Sequence, residues 1–109
     1  MIKIKAKYKV WLEYNKKPII GKGRYMLLKA IEKKSSLKEA AELLEISNKT
    51  AYNYIKKIEN RLGSKIVETH KGGEKAGGYT KLNALGKMLI KKFAEAEAKV
   101  IWLIASEYQ

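Results

Sequence analysis

Between Ser47 and Lys56 the chain sets amides at Asn48 and Asn53, cations at Lys49 and Lys56, and hydroxyls at Ser47, Thr50 and Tyr52, with no carboxylate anywhere from Ile46 to Ile58. An amide can pair bidentately with adenine, and cations suit guanine edges and phosphates. A solvated surface helix would ordinarily mix acidic residues into such a stretch. The chemistry these residues support is recognition of a polyanion, not turnover. The rest of the chain offers little for catalysis: there is no cysteine, a single histidine at His70, and no clustered pair of carboxylates. Thiolate metal sites, disulfides and cysteine nucleophiles are excluded together. Acid–base and nucleophilic schemes lack partners. No catalytic residue, cofactor or metal site is expected.

A second group lies in "HKGGEKAGGY", His70 to Tyr79, where two glycine pairs alternate with Lys71 and Lys75. A phosphate-binding loop of the P-loop kind needs Gly, four residues, then Gly-Lys-Ser or Gly-Lys-Thr. Gly72 and Gly77 have that spacing, but Gly78 and Tyr79 follow. Strand-like "KIVE" and "YTKL" flank the glycines instead, so the stretch reads as a hairpin tip. There Lys71 and Lys75 can meet phosphates of a nucleic-acid backbone.

These residues need elements to hold them. Ser36, followed three residues on by Glu39, is a capping-box pattern that starts a helix with Leu37, Ala40, Ala41 and Leu44 on its buried face. Glu45 and Ile46 make a brief turn, and Ser47 caps the next helix, whose Ala51, Ile55, Ile58 and Leu62 step by four, three and four. Gly63 can end it. Two helices joined by so short a turn, with small Ala40 and Ala41 between them, form a helix-turn-helix over residues 36–63. The polar residues from Asn48 to Lys56 then face outward on the second helix. The glycine hairpin, residues 65–82, follows directly and reads as a wing.

Upstream, residues 2–14 alternate apolar Ile2, Ile4, Ala6, Tyr8, Val10, Leu12 and Tyr14 with Lys3, Lys5, Lys7, Lys9, Trp11 and Glu13, which predicts a half-buried strand with a basic outer face. "NKKPIIGKG" predicts a turn and a short returning strand, and Arg24 to Lys34 a first helix. Asn83 caps a last helix running to about Tyr108. In it Leu85, Leu89, Phe93 and Ala96 form one stripe, while Val100, Ile101, Trp102, Leu103 and Ile104 are apolar all round. Phe93 and residues 100–104 are therefore expected at a homodimer interface. A two-fold pair would space two recognition helices about 34 Å apart, one turn of DNA.

At 109 residues one domain over residues 1–109 is expected, mainly α with a small β component. A formal net charge of +13 favours a nucleic-acid partner. No apolar run approaches the roughly 18 residues of a membrane span, and no hydrophobic segment follows a basic start, so a cytoplasmic protein without a membrane partner is expected. No small-molecule ligand is evident.

Taken together, "VWLE" with "GKGR", the Ser47 turn, the "LGSKIVE" exit and the glycine-rich wing followed by "KLNALGK" resemble the N-terminal winged-helix domain of ModE-type molybdate-responsive transcription regulators. The segment from "AAELLEIS" to "RLG" is also similar to the DNA-binding domain of LysR regulators. The resemblance implies a DNA-binding dimer whose second motif helix enters the major groove. Asn48 and Tyr52 stand where members of the family often carry an aromatic residue and a tryptophan, so the family's operator does not carry over. Regulators of that family sense molybdate in separate C-terminal domains, and with the sequence ending at Gln109 no molybdate response is expected. The function expected is a sequence-specific regulator of transcription; an RNA-binding winged helix or a general chromatin-associated protein would suit the same charge.

Overall fold

The computed structural model describes residues 1–71 and 78–107, and within them three of the four helices open on a side-chain cap. Helix α2, Leu37–Leu43, starts where Ser36 Oγ accepts the Glu39 N–H at 3.1 Å. Helix α3, Asn48–Leu62, starts where Ser47 Oγ accepts the Thr50 N–H at 3.0 Å. Helix α4, Ala84–Glu107, starts where Asn83 Oδ1 accepts the Gly86 N–H at 2.9 Å. Each cap satisfies a donor that the first helical turn leaves without a partner. Helix α1, Lys22–Lys34, differs: its N-cap is Gly21, which has no side chain to offer. It begins two residues before the expected Arg24 and ends at Ser35, whose φ of 54° turns the chain out of the helix.

Two antiparallel hairpins complete the element order β1–β2–α1–α2–α3–β3–β4–α4. Strands β1, Leu12–Tyr14, and β2, Lys17–Ile20, are joined by Asn15 and Lys16, both at positive φ, as a two-residue hairpin loop requires. The expected strand over residues 2–14 is thereby corrected to three residues. The alternation is real, since Trp11 and Glu13 share a face and the indole N–H donates to the carboxylate at 3.0 Å. But β2 is only four residues long before the chain turns into α1. Residues 1–11 stay outside the strands, and Ile2 and Ile4 stand exposed.

Strands β3, Val67–His70, and β4, Tyr79–Leu82, pair in register from Val67 with Leu82 to His70 with Tyr79. The first of these begins two residues later than "KIVE" suggests. Ile66 is fully buried, and its backbone is already engaged elsewhere: its N–H donates to Glu59 Oε2 at 2.8 Å, and its carbonyl accepts the Asn83 N–H at 2.9 Å. Glycine is needed at Gly86 because a Cβ there would run into that same Ile66 carbonyl.

One hydrophobic cluster unites these elements. Ile20, Leu27, Leu28, Ile31, Ile58, Ile66 and Phe93 lie wholly inside it. Phe93, expected at a dimer interface, instead stacks on Tyr25 of α1 with ring centroids 4.6 Å apart. It has no surface left for a second chain. The apolar stripe of α4 serves its own core as far as Phe93, and beyond it the helix runs on.

Candidate nucleic-acid interface

Helix α3 sits on α2 through Ala40, Ala41 and Ala51, each essentially without exposure. Methyl groups at these positions let two helix backbones approach closely, and Ile46 N–H bonding to Ala41 O fixes the turn between them. The buried edge of α3 is Ala51, Ile55 and Ile58, as the spacing predicts. Its opposite face therefore looks outward.

On that face Asn48, Lys49, Tyr52 and Asn53 are all exposed. Among the described residues the Asn48 and Asn53 amides make no side-chain hydrogen bond, so both edges are available to a ligand. Ser47 and Thr50 are less free. The Ser47 hydroxyl donates to Thr50 Oγ1 at 2.9 Å while accepting the Thr50 N–H, so both side chains serve the cap. Lys56 is half-buried, with its Nζ 5.4 Å from the centre of the Tyr52 ring and 3.5 Å from Glu59 Oε1. The first turn of α3 carries no acidic residue to offset the positive end of the helix dipole.

Glu59 went unnoticed in the sequence because it follows the acid-free stretch by one residue. It is only 8% exposed, and it links α3 to the approach of the hairpin through Ile66 N–H. A buried carboxylate needs such donors to offset its lost hydration. Its role is to hold the hairpin at a set height beside α3.

The hairpin β3–β4 stands next to the motif because Thr80, itself buried, donates its N–H to Ser35 O at 3.1 Å. Lys71 is exposed at the end of β3, while Lys75 lies outside the described residues. The hairpin also has an aromatic side. His70 stacks on Tyr79 at 5.4 Å, and Lys81 Nζ lies 4.8 Å over the Tyr79 ring. Cross-strand register pairs His70 with Tyr79, and only once register is known does that stack become visible.

At the other end, Val100 and Ile104 are half-exposed, and Ile101, Trp102 and Leu103 are exposed, Trp102 to 68%. Among the described residues no helix is long and apolar enough to cross a membrane, and no three metal-ligating side chains gather.

No family model matches the chain. A curated relative, the molybdenum-pterin-binding protein MopB of Rhodobacter capsulatus, is 34% identical over 87 residues, which is 80% of this chain and 32% of MopB. The chain thus spans about a third of that relative's length. The resemblance to ModE-like proteins read from the sequence is consistent with this match. Among solved structures, the DNA-binding domain of BenM in complex with catB site 1 DNA matches with a TM-score of 0.58 at 17% identity, over 79% of this chain and 89% of that one. ArgP from Mycobacterium tuberculosis matches with a TM-score of 0.57 at 19% identity, over 79% of this chain and 30% of ArgP. MepR of S. aureus bound to DNA gives 0.57 at 14% identity, over 80% of this chain and 63% of MepR. The fold they share with this chain is the winged helix.

Proposed function

We propose that the chain is the DNA-binding part of a cytoplasmic, sequence-specific transcription regulator, with α3 entering the major groove and the β3–β4 hairpin lying on the backbone. The observation that carries this reading is the outward face of α3. Among the described residues Asn48 and Asn53 present amide groups without side-chain partners, beside Lys49 and Lys56, on a helix seated by an alanine contact. Amides without internal partners are the groups that can discriminate bases, because a mismatched edge leaves them unsatisfied. Tyr52 adds a ring beside them. Ser47 and Thr50 act by setting where the helix starts, and Lys71 and Lys75 supply phosphate contacts from the hairpin.

The net charge of +13 supports the same partner and also suits a second reading, a winged helix binding RNA or duplex DNA without preference. Selection from random duplexes, followed by competition against poly(dI-dC) and structured RNA, separates the two. The expected result is one enriched motif and a log–log salt slope near −5, from about six phosphate contacts at ~0.9 each. Equal competition by all duplexes, or by RNA, would move the assignment to the second reading; no binding at low salt would remove both.

The working unit of this proposal is a homodimer held by Val100 to Ile104 of α4. A two-fold interface buries the same patch twice and presents two α3 helices to a palindromic site. The molybdenum-pterin binding in MopB's name is not carried over to residues 1–109.

A further inference from the structure

Arg24 is a basic side chain to which neither the core nor the outward face of α3 assigns a task. Its Nε is buried and makes no hydrogen bond, and among the described residues its guanidinium enters no ion pair. The group is nevertheless held in place, 5.0 Å from the centre of the Tyr54 ring on α3. The contrast with Arg61 is direct, since Arg61 donates to the Pro18 carbonyl and thereby ties α3 to β2. With Nε buried, the four N–H groups of the two terminal nitrogens are left to meet an acceptor from outside, which makes the guanidinium a recognition group in waiting.

The acceptor it lacks is defined by what surrounds it. Arg24, Tyr54, Gly21 and Gly23 line a shallow cleft of about 170 Å³ at the N-terminus of α1. The first bond of that helix runs from Tyr25 N–H to Gly21 O, so the N–H groups of Lys22, Gly23 and Arg24 have no acceptor within the helix. No side-chain cap and no acidic residue of the first turn serves them. Nothing lies within 4 Å of where a Cβ would stand on Gly21 or Gly23, so the backbone can be approached there. Converging N–H groups, the positive end of a helix and a guanidinium fork suit a phosphate oxygen pair.

Tyr54 sits beside Asn53 on α3, on the flank between its buried edge and its outward face. We propose that Arg24, held over Tyr54, and the opening N–H groups of α1 grip one phosphate of the DNA strand bordering the groove that α3 enters. The proposal rests on the DNA-binding reading above. It adds a third element, α1, to the recognition helix and hairpin, and it explains why Arg24 is held over Tyr54 without a carboxylate partner among the described residues.

The test uses the full chain on its selected duplex and on a random duplex. Arg24→Gln is expected to weaken both by the same factor, to leave base preference intact, and to reduce the salt slope by about 0.9. Arg24→Lys keeps the charge and is expected to keep the slope while losing affinity, which guards against a variant that merely folds badly; thermal melting checks both. Replacing single phosphates of the duplex by methylphosphonates should reveal one position that weakens the wild-type protein clearly more than it weakens Arg24→Gln, which keeps only the backbone N–H contacts there. A folded Arg24→Gln protein with the wild-type slope, or with altered base preference, overturns the phosphate grip while leaving DNA binding in place. Failure of the wild-type protein to bind any duplex overturns the parent reading instead.

Discussion

Lys22 Nζ lies 2.7 Å from Glu97 Oε1, joining the first turn of α1 to the middle of α4. The hydrogen bond to Glu97 raises the lysine pKa above its ordinary 10.5, and the attraction of the carboxylate adds to it. Because the folded value is the higher one, whatever stability the pair contributes is fully present below about pH 10.5 and fades as pH rises through the raised value. The lysine is more than half exposed, so the contribution is small. Chemical denaturation at pH 7 and pH 9 should therefore show no difference between the wild-type protein and Glu97→Gln beyond a constant offset of under ~1 kcal/mol.

Past Glu97, helix α4 has no salt bridge to the body among the described residues, yet it continues through Val100, Ile101, Trp102, Leu103 and Ile104. At 1.5 Å per residue the whole helix is about 36 Å long. Sedimentation should find the full chain dimeric at tens of micromolar, and a chain ending at Lys99 monomeric with much weaker binding to its selected duplex. A monomeric full chain, or a dimeric truncation, places the interface elsewhere.

Asn53→Ala is expected to cost about 1–3 kcal/mol on the selected site and to relax base choice there. Lys71→Ala should weaken all duplexes alike and flatten the salt slope by about one phosphate. Binding isotherms on selected and scrambled duplexes measure both. Reversed behaviour would exchange the roles of helix and hairpin.

What the sequence made legible was whatever a few neighbouring residues decide. Ser36, Ser47 and Asn83 cap helices within three residues of themselves, and Gly63 ends one with a φ of 70°. Ala51, Ile55 and Ile58 betray their face by spacing alone. Residues 2–11 misled because alternation specifies which side of a strand is apolar, not whether another strand is there to pair with it. Arg24 and Tyr54 are thirty residues apart, and Glu59 answers to a donor at Ile66, so both relationships exist only once the chain has folded. The exposed amides of α3 were legible as a face; their freedom from internal partners was not.

Glu59→Ala should destabilise the fold by about 1–3 kcal/mol, because it strands the buried Ile66 N–H. Urea denaturation monitored through Trp11 and Trp102 measures it. A change within about 0.5 kcal/mol would show that the backbone donor finds another acceptor.

Molybdate should leave the duplex affinity of residues 1–109 unchanged, since about two-thirds of MopB lies outside the match. Titration of molybdate into the protein–duplex complex checks this, and a shift in affinity would assign an oxyanion response to this chain itself.

The hydrogen bond from Thr80 to Ser35 pins the second strand of the hairpin to the corner between α1 and α2, and Glu59 braces the base of the first strand against α3. With both legs fastened, the hairpin base and α3 form a preset caliper. Under the DNA-binding function proposed above, a duplex entering it would have to supply the bending and twisting that close contact demands. Stiff and pliant sequences would then differ in affinity even at base steps no side chain reaches.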